Sequence, residues 1–100
     1  MSFYKIRYLK TAQKDLDDIF TYVAKDNPGA AASLLENFDQ TIIRLAVNPE
    51  LGRVPLDDRL KMMGYRMLII QRYLVFYVVK KRTVQIRRIV HGARRYAFLL

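Results

Sequence analysis

The chain has 100 residues, of which 52% are hydrophobic and none is cysteine, and its net charge at pH 7 is +9. This length allows one domain with one core, and the lack of cysteine excludes disulfides and thiolate metal sites. The longest apolar run, residues 73–79, is far shorter than the ~20 residues of a membrane-spanning helix, and we find no secretory signal. We therefore expect a single cytoplasmic domain, residues 1–100.

The net charge is concentrated in the C-terminal part of the chain. Residues 64–100 contain nine Lys and Arg and no Asp or Glu, whereas residues 1–63 contain nine basic and nine acidic residues. Such a charge favours a polyanionic partner, which could be nucleic acid, a ribosome, an anionic membrane or an acidic protein. The alternative is that the charge only keeps the protein in solution.

The first two predicted elements are a strand and a helix. Residues 3–9 alternate in polarity, which is typical of a half-buried strand. Thr11 is predicted to be the N-cap of a helix over about residues 11–25, because its hydroxyl can accept a hydrogen bond from a free amide of the first turn. We expect the aspartates of this helix to interact with the helix dipole and to form a solvated face. They are Asp15, Asp17 and Asp18.

A second helix follows directly. Asp26 or Asn27 is predicted to cap it, with Pro28 at its first position. Apolar residues then recur at steps of three and four up to Asn48 and Pro49, which end the helix. The two helices therefore predict an antiparallel hairpin with one apolar side. Residues 48–63 are predicted to be a loop with a short helical turn near residues 59–63.

Three strands are predicted in the basic C-terminal part. They cover residues 65–70, 73–79 and 84–91, and the second is apolar throughout, as expected for a central strand covered on both faces. Arg87 and Arg88 are adjacent, so they cannot both face solvent unless a β-bulge intervenes. The predicted fold class is α+β, with the order β-α-α-β-β-β and the helical hairpin on one face of an antiparallel sheet.

Four segments of this chain resemble the RelE/ParE superfamily, the toxins of type II toxin–antitoxin systems. They are residues 11–16 (TAQKDL), 48–52 (NPELG), 72–77 (RYLVFY) and 88–96 (RIVHGARRY). The last two are the most specific. The resemblance covers nearly the whole chain and agrees with the predicted element order. It implies a toxin, although members that share this fold differ in their targets.

The resemblance implies one of two activities. RelE-like members cut mRNA in the ribosomal A site without a metal, using basic and aromatic residues and, in some members, a Glu and a His. ParE-like members inhibit DNA gyrase and are not known as nucleases. For both branches the implied partner is a cognate acidic antitoxin. The expected assembly is a toxin–antitoxin hetero-oligomer or a toxin homodimer. No cofactor is implied, and neither branch implies a membrane.

Leu74 favours the ParE-like branch. RelE-like enzymes carry an Arg early in the central strand, where this chain has Leu74, and leucine cannot stabilise the charge of a pentacovalent phosphate. Arg66 or Arg72 could compensate, but the acidic general base of the nucleases has no clear match in residues 50–58. We therefore expect a gyrase inhibitor first and a ribosome-dependent endoribonuclease second. The third hypothesis is a basic domain without toxicity.

The site residues depend on the branch. If the chain is RelE-like, we expect His91, Arg66 and Tyr96 to be catalytic, since an imidazole can act as a general acid near neutral pH. Otherwise His91 packs at the end of the last strand, and with no second histidine and no cysteine we expect no metal site. Four arginines are predicted to bind the target or nucleic acid: Arg87, Arg88, Arg94 and Arg95. We expect residues 80–82 to form a turn with solvated charges instead.

Overall fold

The computed structural model describes residues 3–92 and Leu100. The elements are β1 (Lys5–Tyr8), α1 (Lys10–Asp26), α2 (Pro28–Ile42) with a 3₁₀ turn (Ile43–Ala46), α3 (Asp58–Met62), β2 (Tyr65–Ile70), β3 (Tyr73–Lys80) and β4 (Thr83–His91). The predicted helical hairpin, short helical turn and three C-terminal strands are all present. None of the described helices is long and apolar enough to cross a membrane.

The four strands form one sheet in the order β1-β4-β3-β2. The α+β prediction with the hairpin on the sheet is confirmed, and β2, β3 and β4 pair antiparallel as expected. The expectation of a wholly antiparallel sheet is wrong for β1, which runs parallel to β4 with Lys5 opposite Thr83. Parallel neighbours require a long crossover connection. Here the helical hairpin and the loop after it separate β1 from the other three strands in the sequence.

Two apolar layers cover the sheet. The larger lies between the helical hairpin and the sheet and includes Phe38, Tyr77 and Ile86, which are fully buried. The smaller layer, on the opposite face, places Leu60 of α3 against β3 and β4. It comprises Leu60, Tyr65, Leu74, Phe76, Val78 and Val90. Because β3 contributes to both layers, nearly every residue of that strand is apolar, as the sequence predicted.

The start of α1 differs from the prediction. The helix begins at Lys10, and Leu9 is its N-cap without a side-chain hydrogen bond. The Thr11 hydroxyl instead donates to the carbonyl oxygen of Arg87 at 2.9 Å. β1 pairs with β4 only as far as Ile86, so the next carbonyl of β4 needs another donor, and the first turn of α1 provides one. The predicted Asn27 cap of α2 is confirmed, since its side chain accepts from the Ala30 amide.

The aspartates of α1 have two different environments. None lies in the first turn of the helix, so the expected dipole interaction is wrong. Asp17 and Asp18 are exposed and accept hydrogen bonds from Gln13 and Lys14, one turn earlier, as a solvated face would. Asp15 is not solvated: it contacts β4, where it is paired with Arg88.

A β-bulge in β4 places both adjacent arginines on the side of the smaller apolar layer. Phe76 pairs with Arg88 and Tyr77 pairs with Ile86, so Arg87 is the extra residue. From the sequence, the two adjacent arginines could both face solvent only if a bulge intervened, and both are partly exposed. Arg87 contacts Tyr65 on the side of the smaller apolar layer, whereas Arg88 extends to α1.

A buried tyrosine holds the loop after α2 against the sheet. The Tyr77 hydroxyl donates to the Pro49 carbonyl oxygen and accepts from the Gly52 amide, both at 2.8 Å. Burial raises the pKa of this phenol above its usual value of 10.0. The loop is therefore fixed by two hydrogen bonds to one side chain of the central strand, which satisfies buried backbone groups that lack a partner in a helix or strand.

We expect Tyr8 to make stability depend on pH in the alkaline range. Burial, and then the charge of Asp39, raises the pKa of Tyr8 from 10.0 to about 12. The folded state thus favours the neutral phenol, so this contribution is complete below about pH 10 and is lost as the pH rises to about 12. Urea unfolding from about pH 9 to 11.5 should show a steeper loss in the wild type than in Tyr8→Phe. Equal pH dependence in the two proteins would contradict this assignment.

Candidate functional site

An open cleft lies between α1 and the end of the sheet where β3 begins and β4 ends. Its volume is about 620 Å³. Its walls combine two aromatic side chains, a guanidinium and an imidazole with carboxylates of α1. The lining residues are Asp15, Asp18, Ile19, Tyr22, Arg72, Tyr73, Ile89, Val90 and His91. The mixed lining makes this cleft the candidate functional site on the helical side of the sheet.

Stacked aromatic side chains position His91 in this cleft. Its ring lies edge to face with Tyr73, at a centroid distance of 5.6 Å and an interplanar angle of 80°. Tyr73 in turn packs against Phe38 of the core at 5.6 Å. Although His91 is exposed, its ring is therefore supported from the core outwards. An imidazole and the Arg72 guanidinium in one cleft can together bind an anionic group and transfer a proton to it.

Arg66 lies at the opposite end of the sheet. Its guanidinium donates to the Gly52 carbonyl oxygen at 2.8 Å and to that of Glu50 at 3.5 Å. Arg66 pairs with Tyr77 of β3, whereas His91 pairs with Tyr73. Four residues along β3 and two strand spacings across it put the two backbones about 16 Å apart. The structure thus does not bring Arg66 and His91 together.

Leu74 faces away from the cleft. It is 9% exposed and belongs to the smaller apolar layer, where it packs with Leu60 and Phe76. Because adjacent residues of a strand point to opposite faces, Leu74 and Tyr73 lie on different sides of the sheet. A nuclease site that used both the Leu74 position and His91 is therefore not assembled within the part of the chain that the structure describes.

Arg88 forms an ion pair with Asp15. Its Nε lies 2.7 Å and its Nη2 2.9 Å from the two carboxylate oxygens of Asp15. The same carboxylate accepts the Ile89 amide at 2.9 Å. This hydrogen-bonded pair raises the pKa of Arg88. The side chains are only 22% and 14% exposed, so Arg88 has a structural partner, and its predicted contact with a target stays a prediction.

Arg87 lies on the face of the smaller apolar layer, where it lines one hollow together with Arg88 and Tyr65. Its guanidinium donates to the Gln85 side-chain oxygen at 3.0 Å and to the Tyr65 hydroxyl at 3.4 Å. It also lies over the Tyr65 ring, 5.5 Å from the centroid. Arg87 is half-buried and held in one orientation, which suits a group that presents charge to a partner. The other predicted site residues, Arg94, Arg95 and Tyr96, lie outside the described residues.

The sequence did not indicate two features of this region. Asp15 contacts Arg88 across 73 positions of sequence, and no local pattern connects them. Tyr22 is 75% exposed on α1 and joins Arg72 in the lining of the cleft. An exposed tyrosine beside the apolar stripe of a helix is a weak signal that could have been noticed. Among the described residues, no group of three or more His, Cys, Asp or Glu could hold a metal ion.

Comparison with known proteins agrees with this fold. The family described as "ParE toxin of type II toxin-antitoxin system, parDE" matches residues 6–96. The protein named "Putative toxin Y4kP" of Sinorhizobium fredii (strain NBRC 101917 / NGR234) is 30% identical over 100 residues, which is all of both chains. Both matches cover most or all of the chain, so they concern the whole domain and not a single motif.

Two solved structures are also similar. One is a chromosomal ParDE toxin–antitoxin system from P. aeruginosa, with a TM-score of 0.74, 22% identity and coverage of 88% of this chain and 95% of that one. The other is the RelBE2 toxin–antitoxin complex from Mycobacterium tuberculosis, with a TM-score of 0.62, 27% identity and coverage of 94% and 97%. At 22% identity, the similarity to the P. aeruginosa structure shows only that the two chains share a fold.

The fold, the matched family and the relative together define the toxin component of a type II toxin–antitoxin system. The resemblance to the RelE/ParE superfamily is thereby confirmed. Within that superfamily, the chain belongs to the ParE toxin family.

Proposed function

We propose that this toxin inhibits DNA gyrase and is neutralised by a cognate antitoxin. The observation that carries the proposal is Leu74, an aliphatic residue at the position where RelE-like nucleases have an arginine. Leu74 is buried in an apolar layer, where it can offer no charge to a phosphate. The family match supports the same branch.

The antitoxin partner has separate support. The similar structures are described as a ParDE toxin–antitoxin system and as a RelBE2 toxin–antitoxin complex. The net charge of +9 suits an acidic antitoxin segment, because opposite charges speed association and orient the partners. The bound state that we propose is therefore a hetero-oligomer in the cytoplasm.

One observation favours ribosome-dependent mRNA cleavage as the second candidate. Arg72 and His91 line the same cleft, so a cation and a proton donor are available together there. Arg72 was one of the two arginines that could compensate for Leu74. The other, Arg66, binds the loop carbonyls at the far end of the sheet and does not support this alternative.

Two assays run in parallel test the proposal. Purified gyrase should lose supercoiling activity and accumulate cleaved DNA when the toxin is added, while mRNA in a translating extract should stay intact. His91→Ala should keep gyrase inhibition within about twofold, because the proposal assigns the ring, which packs edge to face on Tyr73, no contact with gyrase. Lys25→Gln, an exposed change on α1, is the matched control.

Three results would change the conclusion. Unaffected gyrase with codon-phased mRNA cleavage, abolished by His91→Ala, would replace gyrase inhibition with the nuclease. Loss of gyrase inhibition in His91→Ala but not in Lys25→Gln would place the gyrase contact in the cleft. No effect in either assay would leave only a basic domain without toxicity.

A further inference from the structure

Four basic side chains lie together at the end of the sheet opposite the cleft. Lys5 pairs with Thr83, and Thr83 pairs with Lys80, so Lys5 and Lys80 lie on the same face of three adjacent strands. Arg7 lies two residues along β1 on that face, and Lys81 follows Lys80 in the turn. All four are exposed. We call Lys5, Arg7, Lys80 and Lys81 the basic patch.

The basic patch faces away from the helical hairpin. Val84 and Ile86 of β4 belong to the larger apolar layer, so Thr83 and Gln85 point to the other face. Strand spacing puts the charges of the patch within roughly 15 Å of one another. The ion pairs Lys14–Asp18 and Arg88–Asp15 of the described residues do not include a patch residue. The patch is therefore a cluster of like charges that the described part of the fold does not neutralise.

The turn that carries part of the patch has an unfavourable backbone. Lys81 and Arg82 connect β3 to β4 and have φ values of 47° and 62°. A two-residue hairpin turn with both residues in this region favours Asn and Gly, because a Cβ atom is strained there. Here the chain has two long cationic side chains instead. Strain retained at an exposed position indicates a function for the side chains concerned.

Arg82 has a different environment from Lys81. Its guanidinium lies over the Tyr4 ring, 4.5 Å from the centroid, which supports the turn from the other side. The contact with the Tyr4 ring belongs to Arg82, so substitution of Lys80 and Lys81 leaves that contact in place. The patch thus offers two cations whose removal should not weaken the fold.

We propose that the basic patch binds the phosphate backbone of duplex DNA. Cores of protein–protein interfaces are depleted in lysine and rich in aromatic anchors, whereas three of the four patch residues are lysine. Exposed cations on a sheet face suit sequence-independent phosphate contacts. Arg87, fixed between Gln85 and Tyr65 on the same face, extends the charge along β4. The choice of duplex DNA over RNA rests on the proposed action at gyrase.

The test compares two double variants with equal charge. Lys80→Gln/Lys81→Asn removes two charges from the patch, and Lys25→Gln/Arg53→Gln removes two exposed charges elsewhere. Fluorescence anisotropy with a 20-bp duplex gives Kd and its salt dependence without gyrase. We expect the patch variant to bind the duplex at least about tenfold more weakly than the wild type. The magnitude of the slope of log Kd against log salt concentration should decrease by about 2. The control variant should change Kd less than about threefold.

Thermal unfolding separates loss of contact from loss of fold. Asn is preferred over Lys where φ is positive, so the patch variant should melt about 3 °C higher than the wild type while binding DNA more weakly. Weaker binding together with a lower Tm would overturn the inference, because the loss would then follow from unfolding.

Other outcomes also overturn the inference. Equal weakening in the two double variants would mean that only net charge matters. Tighter binding of a 20-base single strand than of the duplex would exclude duplex DNA as the partner. Loss of poly-glutamate binding with unchanged DNA binding would assign the patch to an acidic protein. Gyrase inhibition without any DNA binding would refute the DNA-binding role of the basic patch but not the proposed function. DNA binding through the patch without gyrase inhibition would refute only the proposed function.

Discussion

Gly52→Ala should destabilise this protein by about 3 kcal/mol. A Cβ atom at this position would lie 2.7 Å from the Tyr77 hydroxyl oxygen, 2.8 Å from its Cε1 and 2.9 Å from the Met67 carbonyl oxygen. Tyr77 is fully buried and Met67 O is backbone, so neither can move aside easily. The Gly52 amide would also be pushed from its 2.8 Å hydrogen bond. Thermal unfolding should show a Tm lower by more than about 10 °C.

Two controls make this result specific. Gly29→Ala introduces the same methyl group at the start of α2, where the nearest atom would be 3.5 Å away, and it should stabilise the helix by up to about 1 kcal/mol. Tyr77→Phe removes the hydroxyl and both of its hydrogen bonds, so it should destabilise by about 2 kcal/mol. In the Tyr77→Phe background, Gly52→Ala should cost less than alone. An equal cost in both backgrounds would contradict the proposed contact.

Asp15→Ala should destabilise the protein by about 3 kcal/mol. The substitution leaves the Arg88 guanidinium, whose side chain is 22% exposed, without its carboxylate. It also leaves the Ile89 amide without its 2.9 Å acceptor. Urea unfolding gives the loss directly, and Asp15→Asn, which retains an acceptor oxygen, should lose less.

Asp18→Ala is the matched control for this change. Asp18 is also a carboxylate of α1, and its ion pair with Lys14 is 3.0 Å long, but the side chains are 67% and 76% exposed. Exposed pairs of this kind contribute about 0.5 kcal/mol or less. If Asp15→Ala and Asp18→Ala reduced stability equally, the attachment of α1 to β4 through Asp15 would be refuted.

The elements with strong local signals were predictable from the sequence. The bounds of β2 match the prediction at residues 65–70, because an apolar run ends there in a two-residue turn. The burial of β3 followed from its composition. Two adjacent arginines in one strand indicated where a bulge would be needed for both to face solvent, and a bulge lies at Arg87. In each case the physical cause lies within a few residues.

Contacts between distant segments were not predictable in the same way. The period of two in β1 gives its faces but not its neighbour, so the parallel pairing with β4 was missed. Thr11 has the chemistry of a cap, yet the nearby edge of β4 takes its hydroxyl. Arg66 has the charge expected of a catalytic group, but the loop after α2 brings two carbonyls to it. Each outcome depends on a partner that only the tertiary fold supplies.

Because both faces of β3 are covered, the polar sites of this protein lie at the two ends of that strand. With both faces of the central strand in apolar layers, the polar chemistry collects at the strand ends: the cleft at Tyr73 and the basic patch at Lys80. Seven residue steps separate these ends by about 23 Å, the length of about seven base pairs. A partner bound at one end therefore leaves the other end accessible unless it spans the full strand.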